Sequence, residues 1–349
     1  MKSFLLIAFL SLVTALSGAE IRHGELRTEH LASTILRDNR VGLDPNRLVK
    51  VYLPPGYADS GKSYPVIYFF HSIGWSAEQA FADGNLVRLI ERGFASGVVP
   101  EFIFVVADFS VPGSLGSMYE NSTTSGRWRD FITDELVPFI DGRFRTLRQS
   151  GSRGLAGDFM GGRGALELAM QRADLFGSVY ALHPVATGTG ELPLTYLEID
   201  WAKVRQAHSL AELTGGRTQI FVQISQAFLP NPDRPPFYCD FPVEIVDGRS
   251  RLNPELNRKM QQGFILEESL DRYGANLRSL RGVAFDWGRY DQTTAHVFAN
   301  RIFSRKLDDL GVNHEAEEYN GSPWNRTWTA DGRFATRLLP FFARHLQFE

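Results

Sequence analysis

Cysteine is nearly absent from this sequence, and neither sign of charge is in clear excess. Cys239 is the single cysteine among 349 residues, so no intramolecular disulfide can form and the fold must rely on a hydrophobic core. Because no basic residue lies close to it in sequence, Cys239 is interpreted as a packing residue and not as a nucleophile. The 37 basic and 40 acidic side chains leave a formal charge of −3, which gives no indication of a nucleic-acid partner.

Motifs for metals and cofactors are missing as well. The sequence has no two histidines four residues apart beside a carboxylate and no cysteine pair, so it predicts no metal site. The glycine-rich stretch at residues 161–164 lacks the spacing of a dinucleotide-binding loop, and no cofactor is predicted. No internal repeat or low-complexity linker divides the chain, which favours a single domain over residues 20–349.

The first 19 residues have the pattern of a secretory signal. Lys2 precedes an apolar run over residues 4–13, and the small residues Ser17, Gly18 and Ala19 form a cleavage pattern before Glu20. The apolar run is too short to be a stable membrane anchor. We therefore expect a mature chain that starts near Glu20, is secreted or periplasmic, and keeps no membrane anchor after cleavage.

Apolar β-rich runs alternate with segments of helical periodicity along the mature chain. This alternation predicts an α/β fold with a mostly parallel central sheet and helices on both faces. The predicted strands cover residues 49–53, 66–70, 102–107, 153–156, 178–182, 220–224 and 283–287. The predicted helices cover residues 77–92, 128–141, 162–172, 295–310 and 331–345.

Residues 186–277 interrupt the alternation with clusters of proline and glycine, densest over residues 227–242. Each proline restricts φ and disfavours helix in the residue before it, so this stretch is expected to be extended and stiff. Inserts after the carboxyl ends of strands often cover a ligand crevice. We predict that residues 186–277 form an insertion or cap region with residues 228–238 at the pocket rim; a plain surface loop is the alternative.

Residues 154–164 form a glycine-rich junction between a predicted strand and a predicted helix. The pattern Gly-x-Ser-x-Gly places a nucleophilic serine on a strained turn of this kind, and small residues on either side let the backbone fold tightly. In this chain Gly157 and Gly161 are present, but Phe159 stands where the serine would be. A phenylalanine side chain can neither lose a proton nor attack a carbonyl group.

Several ordered motifs give the mature chain a resemblance to the putative esterases of the α/β-hydrolase superfamily, the group that includes esterase D, feruloyl esterases and the antigen 85 acyltransferases. The matching segments are residues 51–57, 64–71, 116–122, 157–162, 181–184, 288–291, 319–323 and 338–342. The resemblance implies an α/β-hydrolase fold and a serine–acid–histidine triad. It does not by itself establish activity, because function depends on the site.

Carried onto this chain, the triad positions of the family fall on Phe159, Asp291 and Pro323, so only the acid is retained. No histidine occurs between His314 and His345, where the family's histidine would follow the last strand. Loss of the serine or the histidine alone typically costs about six orders of magnitude in such hydrolases. The resemblance therefore predicts a chain that has lost Ser-His-Asp hydrolysis.

The oxyanion-hole positions implied by the family are Ser72, where the family has glycine, and Met160. An alternative nucleophile is Asp158, which would require a one-residue shift of the turn with Met160 at a position that needs a small residue. The ordinary interpretation is that Asp158 is exposed or paired with Arg163. Asp291, without its histidine, is expected to be a hydrogen-bond or ion-pair partner, with Arg289 nearby.

The histidines leave alternatives open. His71 and His183 lie at strand ends, where each could line a pocket or be hydrogen-bonded structure. His296, His314 and His345 are not placed by sequence to replace the lost base.

Aromatic and amide residues fall near the predicted crevice loops and could stack on sugars or aryl groups, or simply fill space between cap and sheet. With the two strand-end histidines, the predicted pocket residues are His71, Trp75, Tyr119, Asn121, Trp128 and His183. The sequence thus predicts a secreted α/β-hydrolase-fold protein that acts as a non-catalytic binding protein for a small-molecule ester or carbohydrate. The alternatives are an active secreted ester hydrolase or acyltransferase with a rearranged site, and a scaffold whose surface binds a partner.

Overall fold

The computed structural model describes residues 22–213, 216–247 and 249–349. The predicted signal over residues 1–19 lies outside these ranges. No helix within them is both long enough and apolar enough to cross a membrane.

An eight-stranded, mostly parallel sheet forms the centre of the molecule, which confirms the predicted α/β fold. Its strands are β1 Glu25–Ala32, β2 Asn46–Leu53, β3 Val66–Phe70, β4 Ile103–Ala107, β5 Arg153–Asp158, β6 Ser178–Leu182, β7 Gly282–Gly288 and β8 Glu315–Tyr319. The strand order is β1-β2-β4-β3-β5-β6-β7-β8, with β2 antiparallel to both β1 and β4 and all other pairs parallel. Every residue of β3, β4, β5 and β6 is buried, as strands covered on both faces require.

Helices cover both faces of this sheet. They are α1 Tyr57–Ser60, α2 Ala77–Phe81, α3 Asn85–Ala95, α4 Trp128–Asp130, α5 Val137–Arg143, α6 Met160–Gln171, α7 Pro193–Tyr196, α8 Trp201–Gln206, α9 Arg217–Phe228, α10 Pro254–Phe264, α11 Leu266–Leu277, α12 Thr294–Asp309 and α13 Leu339–His345. A π-helical turn, Phe131–Leu136, joins α4 to α5, and a second, Phe334–Leu338, precedes α13. There are also two short antiparallel hairpins among the described residues. One pairs Asn121–Ser122 with Gly126–Arg127, and the other pairs Val243–Val246 with Arg249–Leu252.

Two of the predicted elements differ in the structure. The predicted strand at residues 220–224 is wrong, because this segment lies inside helix α9. The helix is buried on nearly every side, including Gln219 and Gln223, so its apolar run has no helical periodicity to distinguish it from a buried strand. The predicted helix at residues 77–92 is two helices, and Gly84 adopts φ +66° between them.

The segment 186–277 folds into helices α7 to α11 and the hairpin over residues 243–252. Its proline-rich part turns back after α9, so that Pro230 forms a β-bridge with Cys239. Cys239 is buried, and burial raises the pKa of its thiol, in keeping with a packing residue. Helix α9 is hydrogen-bonded to the loop after β4, because the Gln219 side chain donates to the Gly113 carbonyl at 2.8 Å.

Candidate active site

A one-residue turn joins β5 to α6. Strand β5 ends at Asp158 and α6 begins at Met160, and Phe159 between them adopts φ 57° and ψ −112°. A Cβ on Gly157 would lie 2.2 Å from the Gly161 carbonyl oxygen, and one on Gly161 would lie 2.0 Å from that of Phe70. Only glycine fits at both positions, so the backbone has the strained strand-to-helix geometry of a nucleophile elbow.

Aromatic rings surround the side chain at the apex of this elbow. The Phe159 ring stacks parallel to the His183 imidazole, with centroids 6.2 Å apart and planes at 8°. The His296 and Trp324 rings lie 5.3 and 5.4 Å from it. The position at the tip of the elbow is therefore enclosed by rings and carries no ionisable atom of its own.

One carboxylate links two histidines beside Phe159. Oδ2 of Asp291 lies 2.8 Å from Nε2 of His183 and 2.7 Å from Nδ1 of His296. His183 directly follows β6, Asp291 follows β7, and His296 is in the first turn of α12. The carboxyl ends of neighbouring parallel strands meet at one edge of the sheet, which brings these loops together.

The two histidines have opposite electrostatic environments. Burial lowers the pKa of His183, although its hydrogen bond to Asp291 acts in the other direction. Burial also disfavours a charge on His296, but the hydrogen bond to Asp291 and the negative charge of Glu191 outweigh it and raise its pKa above the usual value. Burial likewise raises the pKa of Asp291, yet its bonds with both histidines hold it well below its ordinary range. The shifts thus favour a neutral His183, a protonated His296 and an anionic Asp291.

Glu191 completes this cluster from the far side. Its Oε2 lies 3.6 Å from Nε2 of His296 and accepts a 2.6 Å hydrogen bond from the Ala186 amide. The side chain is fully buried, and burial raises the pKa of its carboxyl to about 7.

The atoms of His183, Asp291 and His296 that could ligate a metal all lie within 4.8 Å of one another. The tautomer of His183 works against coordination, however. Its Nδ1 accepts a 3.0 Å hydrogen bond from the Gly288 amide, so the proton of the neutral ring sits on Nε2 and is donated to Asp291. A metal-bound imidazole needs the reverse arrangement, with the outer nitrogen donating its proton to an acceptor. The geometry favours a hydrogen-bonded cluster over a metal centre.

One expectation about this cluster was wrong, and one of its residues was not predicted. Arg289 does not pair with Asp291; its Nε lies 3.3 Å from Glu318. His296 does lie at the site, where the sequence gave no reason to place it. The chain reverses between Asp291 and α12, with the Thr293 amide donating to Asp291 Oδ1 at 2.8 Å, and this reversal brings His296 back to the carboxylate.

The loop after β8 also reaches the elbow. The Pro323 carbonyl accepts a 2.6 Å hydrogen bond from Oγ1 of Thr327, and the next residue, Trp324, places its ring against Phe159. His314 precedes β8 and lies 2.8 Å from the Ser304 hydroxyl, whereas His345 ends α13 and is 3.4 Å from Glu315. Both belong to the opposite, amino-terminal end of β8.

The loop after β3 carries the expected oxyanion positions. His71 is buried, with Nε2 accepting from the Phe109 amide and Nδ1 donating to the Ser72 carbonyl, both at 3.0 Å. Burial lowers the pKa of His71, which is held as a neutral imidazole. The close approach of Gly161 to the Phe70 carbonyl seats the start of α6, and with it Met160, against this loop.

Asp158 is neither exposed nor paired with Arg163, contrary to expectation. The Arg163 guanidinium lies 2.7 Å from Glu167 and donates to the Phe264 carbonyl. Asp158 is only 4% exposed, and burial, followed by the charge of Asp286, raises the pKa of its carboxyl to about 8. It is protonated at neutral pH and lines a cavity with Ser72 and Trp75.

Three of the expected pocket residues pack elsewhere. Trp128 is fully buried in the core, where its Nε1 donates to the Ser125 carbonyl at 2.9 Å. Tyr119 is buried with its ring stacked on Phe70. The Asn121 amide donates to Asp130 at 2.8 Å and so stabilises a local turn.

Comparison with known proteins matches residues 42–243 to the family described as "Putative esterase". An esterase of Mycobacterium tuberculosis is 27% identical over 286 residues, which cover 80% of this chain and 53% of that protein. A xylanase/feruloyl esterase of Xylanibacter ruminicola is 32% identical over 136 residues, which cover 36% of this chain and 18% of that protein. The chain thus spans about half the length of the mycobacterial relative.

Solved structures show the same fold at low sequence identity. A ferulic acid esterase superposes with a TM-score of 0.63 at 20% identity, over 93% of this chain and all of the other. An S-formylglutathione hydrolase of Agrobacterium tumefaciens gives a TM-score of 0.59 at 15% identity, over 95% of this chain and 99% of the other. Together with the family match, these comparisons show that the chain has the α/β-hydrolase fold and belongs to the "Putative esterase" family.

Proposed function

We propose that this protein is a secreted member of the esterase family that has lost Ser-His-Asp hydrolysis and acts as a non-catalytic binding protein. The observation that carries the proposal is the elbow itself: a phenylalanine, Phe159, occupies the apex with φ 57° and ψ −112°. The backbone retains the geometry that presents a nucleophile, while the side chain presented is a hydrocarbon ring.

The loop that follows the last strand supports the proposal on the histidine side. The family resemblance places the catalytic histidine at Pro323, and residues 315–344 contain no histidine. Trp324 from this loop packs on Phe159 with centroids 5.4 Å apart. The family has a hydrogen bond between nucleophile and base at this place, and this chain has a contact between two aromatic rings instead. The substitutions at Phe159 and Pro323 are therefore compatible with each other.

The histidines that lie near Asp291 are poorly suited to act as a base. The raised pKa of His296 favours its protonated form, which has no lone pair available for a proton. His183 donates its Nε2 proton to Asp291 and accepts from the Gly288 amide at Nδ1. Both ring nitrogens of His183 are therefore engaged, and the Asp291 cluster stabilises the loops instead of activating a nucleophile.

A shifted elbow with Asp158 as nucleophile receives little support from its surroundings. A carboxyl group attacks an ester as the anion, and burial keeps that of Asp158 protonated below about pH 8. The raised pKa is the opposite of what an activated carboxylate nucleophile requires.

Secretion and the ligand complete the proposal. The pattern over residues 1–19 supports export, which N-terminal sequencing of protein collected outside the cell would test.

One neighbour of the same fold, a fungal ferulic acid esterase, has been solved in complex with ferulic acid, with a TM-score of 0.53 and 16% identity. A small-molecule ester is accordingly the ligand class that this neighbour suggests for the site at Phe159. The aromatic rings around Phe159 would also suit a carbohydrate.

The decisive experiment measures hydrolysis of acetyl, butyryl and feruloyl aryl esters by the mature protein and by two double variants, Phe159→Ser with Pro323→His and Phe159→Ser with Trp324→His. We expect no turnover above buffer from the natural protein and measurable turnover from at least one double variant. Circular dichroism confirms that each variant is folded. Because a fluorophosphonate labels activated serines, we also expect no labelling of the natural protein.

Enzyme-like turnover by the natural protein would overturn the proposal in favour of an active ester hydrolase or acyltransferase with a rearranged site. In that case, labelling by the fluorophosphonate would identify a serine outside the elbow as the nucleophile. If no labelling occurs and Asp158→Asn abolishes turnover, the Asp158 carboxylate is the nucleophile.

A further inference from the structure

A cavity of about 230 Å³ lies beside the elbow, on the face of the sheet that carries Phe69. Its wall includes Phe69, Ser72, Trp75, Asp83, Asp158 and Trp328. The lining includes neither Phe159 nor the His183–Asp291–His296 cluster. The cavity therefore lies beside the apex of the elbow, and Asp158 and the expected oxyanion position Ser72 are in its wall.

Two buried polar groups in the cavity wall lack a partner. Oδ1 of Asp158 and Oγ of Ser72 have no hydrogen-bond partner among the described residues, and the two side chains are 4% and 2% exposed. A buried polar atom without a partner is destabilising, and native folds rarely leave two such atoms in one cavity. The pair is satisfied most simply by a ligand that donates hydrogen bonds.

The charges around the cavity favour a cationic donor. Its lining contains two carboxyl groups, Asp83 and Asp158, and no lysine, arginine or histidine. Arg88 is not among the lining residues and donates to the Asp83 backbone carbonyl at 3.0 Å. Behind Asp158, the charge of Asp286 is paired with Arg333 at 2.9 Å. An anionic ligand would meet carboxyl groups and no basic side chain in this lining.

Aromatic rings supply the rest of the wall. Phe69 and Trp328 pack edge to face with centroids 5.7 Å apart, and Trp75 is 40% exposed and can contact an entering ligand. The π-face of tryptophan attracts organic cations, and the same rings bury apolar groups. Carboxyl groups together with tryptophan faces are the combination that recognises ammonium groups.

We propose that this cavity binds a small organic amine, with its ammonium group hydrogen-bonded to Asp158 and Ser72 and its apolar part packed against Trp75 and Trp328. This site goes beyond the proposed function and does not depend on whether the protein hydrolyses esters. The volume suits a single ring with a short amine-bearing arm.

Binding is coupled to the release of a proton. The carboxyl of Asp158 is protonated at neutral pH, and an ammonium ion placed against it favours the carboxylate. The ammonium keeps its proton, the Asp158 proton passes to solvent, and the net charge in the cavity is unchanged. Amine affinity should therefore rise with pH between about 6 and 8, as long as the amine itself stays protonated.

Isothermal titration calorimetry with three matched probes tests the proposal: benzylamine, benzyl alcohol and benzoate differ in charge but hardly in size. We expect benzylamine to bind at least about tenfold more tightly than benzyl alcohol, as an ammonium over an aromatic face and against a carboxylate should. Benzoate should show no binding. Titrations in buffers of different ionisation enthalpy should report the release of close to one proton per benzylamine bound at pH 6.5.

Variants locate the site. Asp158→Asn keeps the shape of the side chain but cannot ionise, and it should weaken benzylamine binding at least about tenfold and abolish proton release. Trp75→Ala, a change at an exposed position that leaves the core intact, should also weaken binding severalfold. Phe298→Ala removes another exposed aromatic side chain, on α12 and 55% exposed, and should leave affinity unchanged.

The proposal is wrong if benzyl alcohol binds as tightly as benzylamine, if benzylamine does not bind, or if neither Asp158→Asn nor Trp75→Ala weakens its binding. These outcomes are independent of ester turnover. The amine-binding proposal can therefore be wrong even if the protein is inactive on esters. Equally, the amine site can be confirmed even if the protein turns over esters.

Discussion

Oδ2 of Asp291 lies 2.8 Å from Nε2 of His183 and 2.7 Å from Nδ1 of His296, so a single carboxylate oxygen connects two imidazoles. Burial lowers the pKa of His183, whereas the hydrogen bond to Asp291 and the charge of Glu191 raise that of His296 despite its burial. The same carboxylate thus contacts two neighbouring histidines whose pKa values are shifted in opposite directions.

The first prediction follows from this arrangement. In the natural protein, the ring nitrogens of His296 should titrate above the usual value of about 6.5 and those of His183 below it. Asp291→Asn removes the charge and leaves burial in place, so the pKa of His296 should fall. Long-range ¹H–¹⁵N NMR spectra of the imidazoles as a function of pH measure both values.

Tyr290→Phe is the matched control, because Tyr290 lies in the same loop and is 63% exposed. It should leave both titrations unchanged. If His296 in the natural protein is already neutral at pH 6.5, the proposed charge states of this cluster are incorrect.

The second prediction concerns the backbone strain at Phe159. A positive φ is unfavourable for any residue with a Cβ and costs roughly 1–2 kcal/mol, whereas glycine adopts it readily. Phe159→Ala and Phe159→Gly lose the same ring contacts with His183, His296 and Trp324. The glycine variant should therefore be the more stable of the two by about 1 kcal/mol, measured as the free energy of unfolding in urea.

The matched comparison uses Phe298, which lies in the middle of α12 and is exposed. There the order should reverse, since glycine is less favourable than alanine in a helix by about 1 kcal/mol. The same order at both positions would show that the turn at Phe159 carries no strain.

The sequence was sufficient to predict the elbow and most of the sheet, because their signals are local. Gly157 and Gly161 flank the turn, and strands such as β3 and β6 are short apolar runs that match the predicted bounds of 66–70 and 178–182. Strand β1 gave no such signal. It is an edge strand with mostly exposed side chains, so its sequence has no run of apolar residues to reveal it.

The Asp291 cluster could not be predicted, because its parts come from loops that only the folded sheet brings together. His183 and Asp291 are 108 positions apart, and their contact depends on the adjacency of β6 and β7. His296 is close to Asp291 in sequence, but the backbone reversal that joins them carries no recognisable motif. The environment of Asp158 could not be predicted for the same reason. The cavity that it lines is formed in part by Ser72, from the loop after β3, and by Trp328, from the loop after β8.

The third prediction tests a buried ion pair beneath the site. Nε of Arg333 lies 2.9 Å from Asp286, which is 1% exposed and also accepts a hydrogen bond from the Tyr180 hydroxyl. Removing one partner of a buried pair leaves an uncompensated charge, which typically costs about 3–5 kcal/mol. Arg333→Met should therefore lower the free energy of unfolding by about that amount, and Arg333→Met with Asp286→Leu should cost less than the sum of the two single changes.

Arg337→Met is the control for this cycle. Arg337 contacts Glu317 at 2.9 Å but is about half exposed, so its loss should cost less than about 1 kcal/mol. Equal effects of the two arginine changes, or strictly additive effects in the cycle, would contradict a strong buried interaction between Arg333 and Asp286.

The fourth prediction concerns the pH dependence of stability that Asp158 produces. Burial raises the pKa of this carboxyl to about 8 in the folded protein, against about 3.9 in an unfolded chain. Between these values the folded state keeps a proton that the unfolded state has lost, so the contribution of Asp158 to stability falls as pH rises from about 4 to about 8. Each pH unit within this window costs up to about 1.4 kcal/mol for a single group.

Asp158→Asn cannot ionise and should lack this contribution, so the variant should gain stability relative to the natural protein as pH rises. Urea denaturation of both proteins at pH 5 and pH 8 measures the difference directly.

Burial also raises the pKa values of Glu120 and Glu191 to about 7. Their contribution to the pH dependence of stability is present in both proteins and cancels in the comparison. Asp309→Asn, an exposed change on α12, should show no such trend. A stability difference between Asp158→Asn and the natural protein that stays constant from pH 5 to pH 8 would mean that Asp158 ionises normally, and the buried, protonated carboxyl on which the amine site depends would then be wrong.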